Sequence, residues 1–214
     1  MTESLRQSTR EVFQYPRSAL IRRHGPRGYA DYVSYKPWLR DEFLFRCVYC
    51  LSRERWNPEG QDAFSVDHER PQSTHPEQTG DYDNLLYACC SCNSSRRDLP
   101  LPLDPVGDSL AEHLRIAATG TAEPLTDAGH RLVDLCHLNR PVLVEFRRGL
   151  LQLLDLLAGL DDPRATGAIR SLLGFPHDLP DFVGLRPPGG NSRPDGIRQS
   201  CHARRQEGRL SETY

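Results

Sequence analysis

The sequence is poor in lysine and has no long apolar run. It contains one lysine against 26 arginines, so nearly every positive side chain is a guanidinium group, and any phosphate contact would have to use one. No apolar run approaches the roughly 20 residues of a membrane span. The opening segment MTESLRQSTREV also lacks the apolar core of a secretory signal. We therefore expect a cytoplasmic protein that is neither inserted in a membrane nor exported.

Apolar residues are scarce in general. They make up 37% of the 214 residues, beside 16 glycines and 17 prolines, which predicts one modest core with long loops. We divide the chain into a basic N-terminal arm (1–42), a core (43–100), a helical region (101–184) and a basic tail (185–214). The tail contains the stretch RPPGGNSRPDGIRQS, with almost no large apolar side chains, and is expected to be disordered.

Charge is distributed unevenly, although the net charge is only −2. Both ends of the chain are basic, and the middle, over residues 47–182, is acidic. Basic ends suit a polyanionic partner, and an acidic middle suits a site for divalent cations. Ordinary variation of surface charge explains the same pattern equally well.

Seven cysteines are present, and their spacing points to a metal. An odd number without an export signal argues against a disulfide framework. Cys47 and Cys50 form one CxxC pair, and Cys89 and Cys92 form another. Two such pairs supply the four thiolates of a closed, structural zinc site. Cys90 leaves a Cys90-x-Cys92 alternative, but Cys89 repeats the spacing of the first pair.

Two short strands and a helix are predicted around the second pair. Residues 64–68 and 85–89 have the composition of strands, and residues 91–97 form two helical turns without a breaker. Neighbouring side chains of a regular strand point to opposite faces. Asp67 and His68 are therefore expected at the end of their strand, where the backbone leaves that pattern.

The C-terminal half is predicted to contain three helices that form a small satellite domain. Thr126 caps the first helix, over about 127–138, and Pro141 begins the second, which runs to about Gly159. The third opens at Asp162 and stops near Gly174. The second helix is expected to turn one apolar face inward, made of Leu143, Phe146, Leu150, Leu153, Leu154 and Leu157.

The segment between the cysteine pairs carries further chemistry-bearing residues in a fixed order. They are Asp67-His68, Pro71, Asn84-Leu85, Asn93 directly after Cys92, and Arg96. Over residues 43–99 this pattern resembles the zinc-containing HNH nucleases, with CxxC, DHxxP, NL and CxxCNxxK in that order. Two positions differ: the last histidine of the family name is Asn93, and the basic residue after it is Arg96 rather than lysine.

The resemblance implies an α+β fold of the ββα-metal type: a small HNH core stapled by zinc, followed by the helical region and the tail. The first strand would deliver Asp67 and His68, and the helix would deliver Asn93. Asn84 would hold the loop between the strands and orient the base. The zinc would be structural only.

The residue types suit phosphodiester hydrolysis. An imidazole with an ordinary pKa of about 6.5 accepts a proton from water near neutral pH, which makes His68 the candidate base. Asp67 and Asn93 offer oxygens to a catalytic Mg²⁺ or Mn²⁺, which would stabilise the leaving oxygen. Arg96 is placed either against the substrate phosphate or on a solvated helix face.

The sequence thus predicts a metal-dependent endonuclease acting on DNA. The alternative is a zinc-stapled nucleic-acid-binding module without catalysis, which would not need a base beside two ligands for a hard cation. Similarity beyond the motif is to stand-alone bacterial HNH proteins, some of them in anti-phage defence. That similarity implies a regulatory ATPase or sensor partner docking on the helical region.

Overall fold

A computed structural model describes residues 1–214 of the chain. Its N-terminal half combines helices with two strands and several short 3-10 helices, one of them over Tyr32–Tyr35. In chain order the helices and strands of this half are α1 (Glu3–Arg10), α2 (Lys36–Glu42), β1 (Phe64–His68), β2 (Leu85–Cys89) and α3 (Cys90–Arg96).

The C-terminal half is mainly helical. Its elements are α4 (Leu110–His113), β3 (Leu114–Ile116), β4 (Ala122–Pro124), α5 (Asp127–Leu135), α6 (Pro141–Gly159), α7 (Pro163–Leu173), α8 (Asp195–Gln199) and α9 (Cys201–Gln206). The longest helix is α6, and no helix is long and apolar enough to cross a lipid bilayer.

β1, β2 and α3 form the predicted ββα unit. The two strands pair antiparallel, with Phe64 opposite Cys89 and His68 opposite Leu85. All five side chains of β2 are buried, and α3 begins at the residue that follows β2. The helix ends where Arg97 adopts a left-handed φ of 57°. The mixed fold with a cysteine cluster in this unit is therefore confirmed.

One hydrophobic core runs through the arm, the ββα unit and the helical region. Trp38 of α2, Leu86 of β2, Leu154 of α6 and Ile169 of α7 all belong to one cluster of 36 buried residues. The prediction of a separate satellite domain was wrong, because the helices α5 to α7 complete this core rather than build their own.

A buried arginine fastens α6 to the first cysteine pair. Arg147 is fully buried and donates to the carbonyl oxygens of Leu138 at 2.9 Å and Cys50 at 3.2 Å. A buried guanidinium is tolerated only where such acceptors are available. The orientation of α6 is thereby tied to the cysteine pair.

The tail is ordered, which corrects the prediction of disorder for residues 185–214. It forms α8 and α9 and buries Cys201, whose backbone N–H donates to Asp41 at 2.7 Å. Arg193 makes a two-pronged ion pair with Asp83, at 2.8 and 2.9 Å. The composition of the tail did not predict its ordered structure, because polar pairs and a few buried side chains hold the tail in place rather than an apolar face.

Candidate metal and catalytic centre

Four cysteines converge on one point in the core. The Sγ atoms of Cys47, Cys50, Cys89 and Cys92 all lie within 4.8 Å of one another, and all four residues are buried. The Sγ atoms of Cys50 and Cys89 are 3.7 Å apart. Four thiolates at ~2.3 Å from a zinc ion in a tetrahedron would be ~3.8 Å apart. The donor set and spacing fit one closed zinc site.

Local backbone geometry brings each pair together. Arg46 and Arg53 form an isolated antiparallel bridge, and between them the N–H of Cys47 donates to the carbonyl of Ser52 at 2.9 Å. Leu51 takes a left-handed φ of 62° to close this turn. The second pair straddles the junction of β2 and α3. Cys90 is exposed and lies outside the cluster.

Arg140 supplies positive charge beside the thiolates. Its Nη1 lies 3.7 Å from the Sγ of Cys92 and donates toward it. Four thiolates around a divalent ion leave an excess of two negative charges. The guanidinium offsets part of this charge, and charge-assisted donors to metal-bound sulfur are a usual part of such sites.

Asp67 is held by donors from three directions. It is 4% exposed; its Oδ2 accepts from the phenol of Tyr49 at 2.6 Å, and its Oδ1 accepts from the N–H of His68 at 2.7 Å. Arg96 also donates to Oδ1 through Nη1. Burial raises the pKa of the Asp67 carboxyl, against the opposing charge of Arg96. Since Tyr49 lies between Cys47 and Cys50, the cysteine turn itself positions this carboxylate.

His68 is the last residue of β1, and two hydrogen bonds orient its ring. Nε2 lies 3.1 Å from the carbonyl oxygen of Thr79, and Nδ1 lies 3.0 Å from Nε2 of Gln72. A carbonyl only accepts, so the proton is on Nε2 and Nδ1 keeps its lone pair. Burial lowers the pKa of His68, which favours this neutral form near pH 7.

The N-terminal arm reaches the same histidine. The ring of Tyr32 packs edge-on against His68 with centroids 4.7 Å apart. His68 is consequently only 5% exposed. Sequence reasoning missed Tyr32, Gln72 and Thr79, because no local sequence pattern marks them. It also missed Tyr49, although its position inside a CxxC pair was a signal that could have found it.

Asn84 ties together the loop that joins β1 to β2. Its Oδ1 accepts from the N–H of Arg70 at 2.8 Å, and its Nδ2 donates to the carbonyls of Arg70 and Gln78, both at 3.2 Å. Gln78 precedes Thr79, the acceptor for His68. The structure therefore places Asn84 at the loop, with its link to the histidine running through the backbone rather than through a direct bond.

Asn93 lies on α3 and faces β1. Its Nδ2 donates to Ser65 Oγ at 2.9 Å and to the carbonyl of Val66 at 3.3 Å, while its Oδ1 accepts no hydrogen bond from the protein. A carboxylate offers about four acceptor sites, of which three are filled on Asp67. One free site on Asp67 and the free oxygen of Asn93 match the chemistry of a hard divalent cation.

Arg96 does not occupy the place predicted for it. It is 1% exposed and donates to Asp67 and, at 2.9 Å, to the carbonyl of Glu69. Neither a substrate phosphate nor bulk water reaches a side chain in that position. Both alternatives of the sequence prediction are corrected: Arg96 is an internal ion-pair partner, because the buried Asp67 needs a counter-charge.

Residues 47–98 match the family model described as HNH endonuclease. No curated protein matches the chain. The four-cysteine cluster of this segment is consistent with an HNH domain of the zinc-knuckle type. A nuclease-type function is the activity that this domain supports, and the cluster supports zinc binding.

Proposed function

We propose that this protein is a metal-dependent endonuclease that hydrolyses phosphodiester bonds in DNA. The observation that carries the proposal is the orientation of His68. Its Nε2–H donates to the carbonyl of Thr79, which leaves the lone pair on Nδ1. A base for water must be neutral and oriented; the lowered pKa of His68 and its hydrogen bond to Thr79 support both, within a segment that matches the HNH family.

The residues divide the work as follows. His68 Nδ1 takes the proton from the attacking water, after its hydrogen bond with the amide of Gln72 has broken. Asp67 and Asn93 would hold one Mg²⁺ or Mn²⁺, which supplies Lewis-acid stabilisation of the leaving oxygen when bound. Thr79 keeps the base oriented through the backbone. The four cysteines leave zinc no open position, so its role is structural.

A second candidate has one observation in its favour. Asp67 and His68 are 4% and 5% exposed, and Arg96 already neutralises the carboxylate. A site closed in this way also fits a zinc-stapled nucleic-acid-binding module that does not cleave. The nuclease remains the better proposal, because a binding module does not need an oriented imidazole beside two oxygen ligands.

Nicking of supercoiled plasmid separates the two candidates. The wild type should nick with Mg²⁺ or Mn²⁺ and stop after EDTA treatment that leaves the zinc in place. His68→Ala should lose a factor of ~10² to 10⁴ in rate, as expected for a general base. His75→Ala, on the same loop, is the matched control and should nick like the wild type. Parental nicking by His68→Ala would remove His68 from the mechanism, and no nicking by the wild type would favour the binding module.

A further inference from the structure

Helix α6 carries more apolar surface than its packing in this chain uses. Leu143, Leu150 and Leu154 face the core and are buried. A second apolar set stays partly exposed; one of its members, Phe146, also packs against Trp56 of the same chain, with ring centroids 5.6 Å apart. Its members and their exposed fractions are Val142 (77%), Phe146 (39%), Leu153 (42%), Leu156 (63%) and Leu160 (47%). Phe146 and Leu153 were predicted to face inward, so this exposed set is also a correction.

The exposed set has the spacing of a helix-pairing seam. With Gly149 included, the positions 142, 146, 149, 153, 156 and 160 alternate steps of four and three residues. Such alternation is the a and d pattern of paired helices. The five positions on α6 fall within about 40° of one line along the helix, and Leu160 is the residue that directly follows its last turn. None of them is charged, and we call this line the α6 stripe.

We propose that the α6 stripe is the interface with a second copy of this chain, the two helices running antiparallel. The stripe maps onto itself when the helix is reversed about residue 151, as an interface with two-fold symmetry requires. Val142 then faces the partner's Leu160, and Phe146 faces the partner's Leu156.

The middle of the stripe favours the antiparallel direction. A β-carbon at Gly149 would meet nothing within 4 Å, so the helix surface has a gap there. In the antiparallel pair the gap receives Leu153 of the partner subunit, twice by symmetry. In a parallel pair Gly149 would face Gly149 of the partner subunit and leave a hole, whereas the cores of interfaces are closely packed.

Charges beside the stripe are compatible with this pairing. Glu145, Gln152 and Gly159 flank its solvent side. In the antiparallel pair Gln152 meets its own copy, and Glu145 lies opposite the partner's Gly159, so these flanking positions of α6 bring no like charges together.

The size of the stripe sets the expected affinity. Five partly exposed apolar side chains amount to a few hundred Å² per copy, as large as the biggest patch of most monomers. The ~800 Å² per partner of a standard interface is larger. We therefore expect a reversible dimer in the micromolar range. This inference does not depend on the proposed nuclease activity.

Sedimentation velocity tests the interface itself. Over loading concentrations from about 1 to 100 μM, where an interface of this size should equilibrate, the wild type should pass from monomer to dimer. Leu156→Glu should remain monomeric with unchanged zinc content and melting temperature. Val183→Glu is the control, because Val183 is 76% exposed and lies outside the stripe. A monomeric wild type, or a Leu156→Glu protein that dimerises normally, would overturn the proposal.

Disulfide trapping tests the direction. In a Cys90→Ser background, Val142→Cys and Leu160→Cys proteins are oxidised mildly, alone and mixed. The antiparallel pair brings position 142 to the partner's 160, but holds the two copies of position 142 roughly 27 Å apart at ~1.5 Å per residue. Only the mixture should give covalent dimer. Cross-linking of Val142→Cys alone, or none in the mixture, would contradict the antiparallel arrangement.

Discussion

Asp67 and His68 are neighbours in sequence, but their side chains have different surroundings. The carboxylate lies among donors from the cysteine turn and α3, whereas the imidazole is oriented by the loop and by Tyr32. The expected departure from alternation is not seen: β1 stays paired with β2 through His68, opposite Leu85, so alternation separates the two side chains. The proposed metal ligand and the proposed base are therefore positioned by different elements, and single substitutions should separate their roles.

Tyr49 offers such a substitution. Tyr49→Phe removes the donor to Asp67 Oδ2 and should raise the Mg²⁺ or Mn²⁺ concentration needed for half-maximal nicking, because the carboxylate is no longer held in place. Losing a hydrogen bond to a charged group should also cost ~1–3 kcal/mol of unfolding free energy. Metal titrations of nicking and urea unfolding measure the two effects.

The matched control is Tyr87→Phe. Tyr87 is equally buried and donates to Glu54 at 2.7 Å, away from Asp67. It should lose similar stability while its metal dependence stays that of the wild type. Equal metal dependence in all three proteins would show that Tyr49 does not position the carboxylate.

The residues proposed for the site come from the sequence, whereas their surroundings come from the structure. Asp67, His68, Asn84 and Asn93 are proposed because their order and spacing match the motif. The inward turn of Arg96 depends on how deeply the fold buries Asp67. The contacts of Thr79 and Tyr32 with His68 join separate segments, so no local pattern predicts them.

Among the elements, the ββα unit and α5 to α7 were predictable because their ends carry local signals. Thr126 caps α5, and Pro141 begins α6. The inward face of α6 was less predictable. Its apolar arc covers more than half of the helix circumference, and periodicity cannot tell which part faces the core of the same chain. Tertiary contacts such as those of Arg147 decide it.

At the scale of elements, the four-cysteine cluster joins the turn after α2 to the junction of β2 and α3, and a zinc ion bound there would hold these elements together. Cys92→Ser should lose the zinc and the soluble protein, since such sites contribute on the order of 10 kcal/mol to folding. Cys90→Ser should keep both, because Cys90 is exposed outside the cluster. Elemental analysis and solubility measure the difference. Loss of zinc in Cys90→Ser would show that the ligand set is wrong.

The whole molecule is closed by a buried polar junction between its two ends. Asp41 of α2 is fully buried and accepts from His24 Nε2 at 2.8 Å and from the N–H of Cys201 at 2.7 Å. Arg23 completes its partners with an ion pair at 3.0 Å. The arm, α2 and the tail meet at this one carboxylate, which is why residues with little apolar character are ordered.

This junction should make stability sensitive to acid. Burial alone would raise the pKa of Asp41, but the hydrogen bond from His24 and the charge of Arg23 outweigh it and lower the pKa below its ordinary value. A folded-state pKa below the unfolded one, ~3.9, gives stability that is full above that pH and lost as the pH falls through the folded value. Asp41→Asn should thus be less stable than the wild type at pH 7, and the difference should shrink below about pH 4.

Urea unfolding at several pH values measures this difference in stability, with Asp134→Asn as the control because Asp134 is 69% exposed. A constant difference between Asp41→Asn and the wild type from pH 7 to pH 3 would show that the charge of Asp41 does not hold the two ends together.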